Sequence, residues 1–167
     1  MLIYPARMRG EPDAATYRSA ISHFATGVTV VTSTGAEGPA GLTANAICSL
    51  SLNPLLMLVC LERSSRTLAA VRRSRRLAVN VLSQDQQALA SSFASKAPEP
   101  EKFAGVGFHE VDGVPVLNDV VAWLTGEVRD LLPGGDHLIG VTAVRSVDSP
   151  GGEPLVYYRS GYHSLSP

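Results

Sequence analysis

The chain is short of several things, and each shortage closes off a class of protein. Its 167 residues include only two cysteines, Cys48 and Cys60, with no CxxC pair and no Cys/His cluster. Both lie in apolar runs, so buried free thiols are expected rather than a disulfide or a metal site. Lysine and arginine number 14 against 15 acidic residues, a formal charge of −1. A nucleic-acid surface needs clustered basic residues, and this balance argues against one. The longest apolar stretch, Leu55 to Leu61, is far too short to span a bilayer. Met1 to Pro12 holds arginines but no apolar h-region, so no secretory signal is expected. The expectation is a soluble cytoplasmic protein with no membrane or nucleic-acid partner.

What is present suffices for one core. With 45% hydrophobic and 17% charged residues, a chain of this length buries roughly 70% of its unfolded surface without covalent staples. No repeat, charge block, low-complexity tract or linker divides it. Residues 1–12 read as an N-terminal arm and 13–167 as a single domain.

Asp13 can cap a helix with Tyr17, Ile21 and Phe24 on one face and Gly27 closing it. Val28 to Thr34 reads as a strand, Leu42 to Leu52 as the next, and Leu55 to Glu62 as one buried on both faces. A helix capped by Ser64 or Ser65, a strand over Leu77 to Leu82 and a helix capped by Ser83 follow. Lys96 to Phe108 is a proline-bearing excursion with one helical turn near Lys102. Strands around 120–130, 137–147 and 155–158 complete the pattern. Six or seven strands with only short helices between them do not fit βαβ alternation. They point to a mainly antiparallel β-barrel with peripheral helices.

Three places could carry chemistry. Read as one strand, 43–52 sets Thr43, Asn45, Ile47, Ser49 and Ser51 on one face and only small or apolar residues on the other. That polar face bears no charge, which suits either a neutral, heteroatom-rich ligand or plain solvent. Arg63-Ser64-Ser65-Arg66-Thr67 lies where a strand gives way to a helix. Free amides and the positive dipole end favour an anion such as phosphate there, although no P-loop or dinucleotide glycine spacing is present. His137 follows Gly134-Gly135-Asp136 at a strand start, a place that can face a cleft. Asp136 could orient it, although adjacent residues on a strand point to opposite faces. No Gly-x-Ser-x-Gly elbow supports a serine hydrolase.

Taken together, these segments resemble the flavin reductase family, the short reductase components of two-component flavin-dependent monooxygenases. The likeness rests on Phe24-Ala25-Thr26-Gly27-Val28-Thr29-Val30-Val31-Thr32, Gly41 to Ala46 and Ser49 to Pro54. It continues through Ser64-x-x-Thr67, Ala78 to Leu82, Phe93-Ala94, Lys102-Phe103, Gly135-Asp136-His137 and Gly161-Tyr162, in family order. The resemblance implies an FMN-binding, Greek-key-like split β-barrel, usually a homodimer, that spends NADH or NADPH on reducing FMN or FAD for a partner monooxygenase. It implies that Thr43, Ala44 and Asn45 line the isoalloxazine ring and that Ser49 and Ser51 reach the flavin or its ribityl chain. Ser64, Ser65 and Thr67 would hold the phosphate, Lys102 and Phe103 would close over it, and His137 and Tyr162 would sit by the nicotinamide. A non-catalytic flavin carrier or sensor on the same barrel is the alternative. One departure stands out: the family's strand glycine five residues after His137 is Thr142 here.

Overall fold

The computed structural model describes residues 10–165; residues 1–9 of the expected arm lie outside the described residues. Asp13 caps helix α1, Ala14–Ile21, by accepting the Thr16 amide at 2.7 Å. The helix stops at Ser22, five residues before the expected closing Gly27, and Thr26–Gly27 forms a short strand β1 instead. Nothing on α1 is buried, and Tyr17, Ile21 and Phe24 are 62%, 48% and 71% exposed. The apolar face exists, but the described residues do not cover it.

The barrel is a seven-stranded antiparallel sheet in the order β3-β2-β6-β9-β10-β5-β4. Its strands are β2 (Thr29–Gly35), β3 (Gly38–Ala44), β4 (Ile47–Leu52), β5 (Leu55–Glu62), β6 (Arg76–Val81), β9 (Ala122–Gly134) and β10 (His137–Asp148). The expected 42–52 strand is thus two strands, because Asn45-Ala46 leaves the sheet edge and turns the chain across the barrel. β3 and β4 are the two open edges, with no ladder between them among the described residues, and this is the split. A register shift between Ser49 and Ser51 against β5 breaks the simple alternation again. β5 buries Met57, Val59 and Leu61, while Leu56, Leu58 and Cys60 on its other face stay half-buried, so the run is not covered on both sides.

Helix α2 (Arg66–Ser74) closes one end of the barrel with Leu68 and Val71. A second core, built on Val28, Val30, Leu82, Phe93, Phe103, Leu117 and Leu155, lies under helix α3 (Gln87–Ala94) and the single turn α4 (Glu99–Lys102). Two small sheets escaped the sequence reading: the hairpin β7 (Phe108–Val111) with β8 (Val114–Leu117), and β12 (Gly161–Ser164), which joins β1 and β11 (Leu155–Tyr158). Asp112-Gly113, both at positive φ, makes the β7–β8 turn; this dipeptide between apolar residues was the signal available.

The Thr142 departure has a structural answer. Thr142 is fully buried on β10, and a Cβ placed on Gly126 of β9 would lie 2.5 Å from its methyl. Gly126, lacking a side chain, leaves room for the Thr142 methyl, and the β9–β10 ladder shifts register between Val141 and Thr142. Asn80 braces the second core from within: its amide donates to the Val30 carbonyl at 2.9 Å, and its Oδ1 accepts the Leu117 amide at 2.8 Å.

Candidate active site

An open cleft of about 240 Å³ lies where the β3–β4 link, the end of β5, the start of α2, the 93–102 segment and the start of β10 meet. Its walls include Thr43, Ala44, Asn45, Ser64, Ser65, Thr67, Lys102 and His137. Eight of the twelve residues foreseen from sequence therefore converge, although they span 95 positions of chain. Ser49, Ser51, Phe103 and Tyr162 do not line it. Ser49 is exposed and Ser51 half-exposed along β4, beyond the turn at Asn45-Ala46. Phe103 is buried edge-on against Phe93, and Tyr162 packs edge-on against Tyr157.

One wall is uncharged, made by Thr43, Ala44, Asn45 and Ala46. The Thr43 hydroxyl is committed, donating to the Ala90 carbonyl of α3 at 2.6 Å and so holding β3 against that helix. The facing wall is the first turn of α2. Ser65 is its N-cap, accepting the Leu68 amide at 3.1 Å and donating to the Glu62 carbonyl at 2.8 Å. Ser64 donates to the Glu62 carboxylate at 2.6 Å, and this bond, with Lys96 nearby, holds that carboxyl below the usual glutamate range. Thr67 is buried. Both serine hydroxyls are thus engaged by the chain itself, and the amides of Arg66 and Thr67 are left as the unpaired donors that a helix start offers an anion.

His137 opens β10 at the cleft mouth, half-exposed, paired in register with Glu62. Its Nδ1 lies 2.7 Å from Asp136 Oδ1, and this hydrogen bond keeps the Asp136 carboxyl below its ordinary range. Asp136 reaches back because it stands in the turn after Gly135 (φ +68°), outside the strand whose alternation counted against the contact. A carboxylate can only accept, so the proton sits on Nδ1 and Nε2 is the ring's free nitrogen.

Sequence reading missed Glu62, Lys96 and Glu99 and gave Arg66 no role of its own within its motif; all four line the cleft. Glu99 precedes Lys102 by three residues on a proline-started turn, a spacing that pairs charges on a helix and was legible. Lys102 is only 5% exposed, with Nζ donating to the Gly41 carbonyl at 3.2 Å; burial pushes its ammonium pKa down, against the pull of Glu99. Cys48 is exposed and Cys60 half-buried, so the thiols are free as expected but neither is in the core.

An uncharged wall facing a helix N-terminus, with an oriented histidine at its mouth, is an arrangement whose shape and donors suit a planar ligand carrying an anionic tail. Residues 21–166 match the flavin reductase like domain, and the chain belongs to that family. The reductase component of a Rhodococcus opacus 4-nitrophenol 4-monooxygenase/4-nitrocatechol 2-monooxygenase is 40% identical over 155 residues, covering 93% of this chain and 83% of that relative. The NADH-dependent FMN reductase RutF 2 of Rhizobium rhizogenes is 34% identical, covering 96% and 94%. A Rhizobium meliloti relative is 41% identical over 152 residues, but this chain spans only 48% of its length. Among solved structures, the Streptomyces globisporus NADH:FAD oxidoreductase SgcE6 superposes with a TM-score of 0.87 at 31% identity, covering 98% of this chain and all of that one.

Proposed function

We propose that this chain is an NAD(P)H:flavin oxidoreductase that supplies reduced FMN or FAD to a partner flavin-dependent monooxygenase. The observation that carries the reading is the union, in one cleft, of the uncharged Thr43–Ala46 wall, the free Arg66 and Thr67 amides and His137. The bound pair supplies the redox chemistry, hydride passing from nicotinamide C4 to flavin N5. The chain's residues bind and orient. Thr43, Ala44 and Asn45 receive the ring, the α2 start with Ser64, Ser65 and Thr67 receives the phosphate, and His137, aligned by Asp136, positions the nicotinamide. Asn45 and Ala46 belong both to this cleft and to an apolar groove behind it.

That groove is lined by Ile21, Phe24, Ile47, Leu58 and Tyr157, and the exposed α1 face borders it. A second copy seated there would cover the apolar surface that α1 leaves open, so the working form is a homodimer; light scattering at micromolar concentration tests it. Among the described residues no helix is long and apolar enough to cross a membrane, and we assign the protein to the cytoplasm, where its nicotinamide donor is found.

The test is nicotinamide oxidation by purified protein with NADH or NADPH, each with FMN, FAD or no added flavin. Oxidation that rises with added flavin is the expected result, and the pairings identify donor and acceptor together. Tight flavin binding with no oxidation under any pairing would replace the reductase by a flavin carrier.

A further inference from the structure

Gly41 sits on β3, an open edge of the main sheet, where no strand pairs with its outward N–H and C=O. Two side chains of α4 take that place. Glu99 Oε2 accepts the Gly41 amide at 2.9 Å, and Lys102 Nζ donates to the Gly41 carbonyl at 3.2 Å. The ion pair substitutes for a neighbouring strand, covering an edge that would otherwise stay unpaired. It can approach so closely because residue 41 is glycine: a Cβ there would lie 2.5 Å from the Phe93 ring, so the 93–103 segment packs directly on the backbone.

The same carboxylate reaches the other wall. Glu99 Oε1 accepts from Arg66 Nε at 2.9 Å, and Arg66 is the first residue of α2. Arg66 Nη2 also donates to the Ala97 carbonyl, binding the loop before α4 to the same turn. Glu99 is nearly buried, with 14% of its side chain exposed. Among the described residues it is the one side chain hydrogen-bonded both to β3 and to the start of α2. β3 leads two residues later into the uncharged wall, and the α2 start carries the free amides. The separation of these walls is therefore set through one carboxylate.

We propose that Glu99 is a positioning residue that fixes the distance between the ring wall at Thr43–Asn45 and the phosphate site at the start of α2. This rests on the flavin reading above and extends it to a residue that need not touch the flavin. A ligand that spans both walls feels the spacing. A ligand that engages only the ring wall does not. FMN and riboflavin differ by the phosphate alone, so they separate the two cases.

The experiment measures the affinity of apo-protein for FMN and for riboflavin by flavin fluorescence, in wild type, Glu99→Ala and Glu99→Gln. Wild type binds FMN more tightly than riboflavin. Glu99→Ala weakens FMN by about tenfold or more, the scale of one charge-assisted contact. Riboflavin affinity shifts by less than about threefold, within what an unchanged ring wall allows. Glu99→Gln, which keeps one acceptor oxygen and loses the other, falls between. Should Glu99→Ala fail to fold, the ratio of FMN loss to riboflavin loss in Glu99→Gln decides. Equal loss of both ligands would overturn the proposal, since general damage to the fold produces that. Tighter FMN binding would also overturn it, showing the carboxylate as a mere repulsive charge. A wild type that binds FMN no better than riboflavin removes the phosphate site, and with it both readings.

Discussion

Thr142 carries a buried hydroxyl with no hydrogen-bond partner, and replacing it by valine should make the protein more stable. The residue is fully buried on β10, between Met57 of β5 and Val128 of β9 in the ladder. Its methyl already fills the space that Gly126 leaves, so only the Oγ1 position changes. A hydroxyl buried without a partner costs about 1–3 kcal/mol relative to water. A methyl in its place removes that cost and adds up to about 0.8 kcal/mol of apolar burial, against about 1 kcal/mol for crowding a packed core. The net is a gain of about 1–2 kcal/mol, or about 2–8 °C in Tm for a domain of this size. Thermal melts and urea unfolding with an unchanged m-value measure it. Thr142→Ser is the opposite control: it keeps the hydroxyl, loses the methyl beside Gly126 and lowers Tm. A Thr142→Val protein that melts below wild type would refute the reasoning, because the hydroxyl would then be making a bond that stabilises the fold.

His137→Ala should raise the nicotinamide KM by about tenfold, one lost hydrogen bond's worth, while flavin affinity changes by less than threefold; equal losses in both would remove its assigned role. Asn80→Ala strands the buried Leu117 amide and opens a void beside the second core, so it should cost about 2–5 kcal/mol, read by urea unfolding. Asp13, Glu62, Asp112, Glu127 and Asp136 all have carboxyl pKa values lowered in the fold, chiefly by hydrogen bonds from Thr16, Ser64, Thr125, Arg145 and His137. Their stabilisation is complete above the ordinary values of 3.8 and 4.5 and is lost as pH falls through the lowered ones. Tm should accordingly drop between pH 5 and pH 3, modestly because these groups are exposed; a flat profile would contradict it.

Local signals carried much of the fold. Asp13 and Ser65 cap the helices that their positions announced, and the valine-rich and threonine-rich runs form the expected strands. Where a reading failed, the cause was tertiary. The 43–52 alternation looked continuous because periodicity does not see a chain leaving one sheet edge to become the other. Tyr17 and Ile21 share a face of α1 as their spacing indicates, but a hydrophobic pattern does not say what covers it, and among the described residues that face is exposed. Strand alternation stood against the Asp136–His137 contact that adjacency suggested, yet Asp136 is a turn residue and free of that rule.

Residue types and their order, on their own, determined a mainly β fold, a capped helix start after a strand, a family likeness and a histidine beside an aspartate. Those properties are local, set by propensity, capping and spacing within a few residues. Tertiary structure alone decided that Ser49, Ser51, Phe103 and Tyr162 stand outside the cleft, that Gly126 makes room for Thr142, and that Glu99 bonds to both walls. Each of these is a contact between residues at least 16 positions apart in the chain or a consequence of the barrel's path, and no local pattern encodes it.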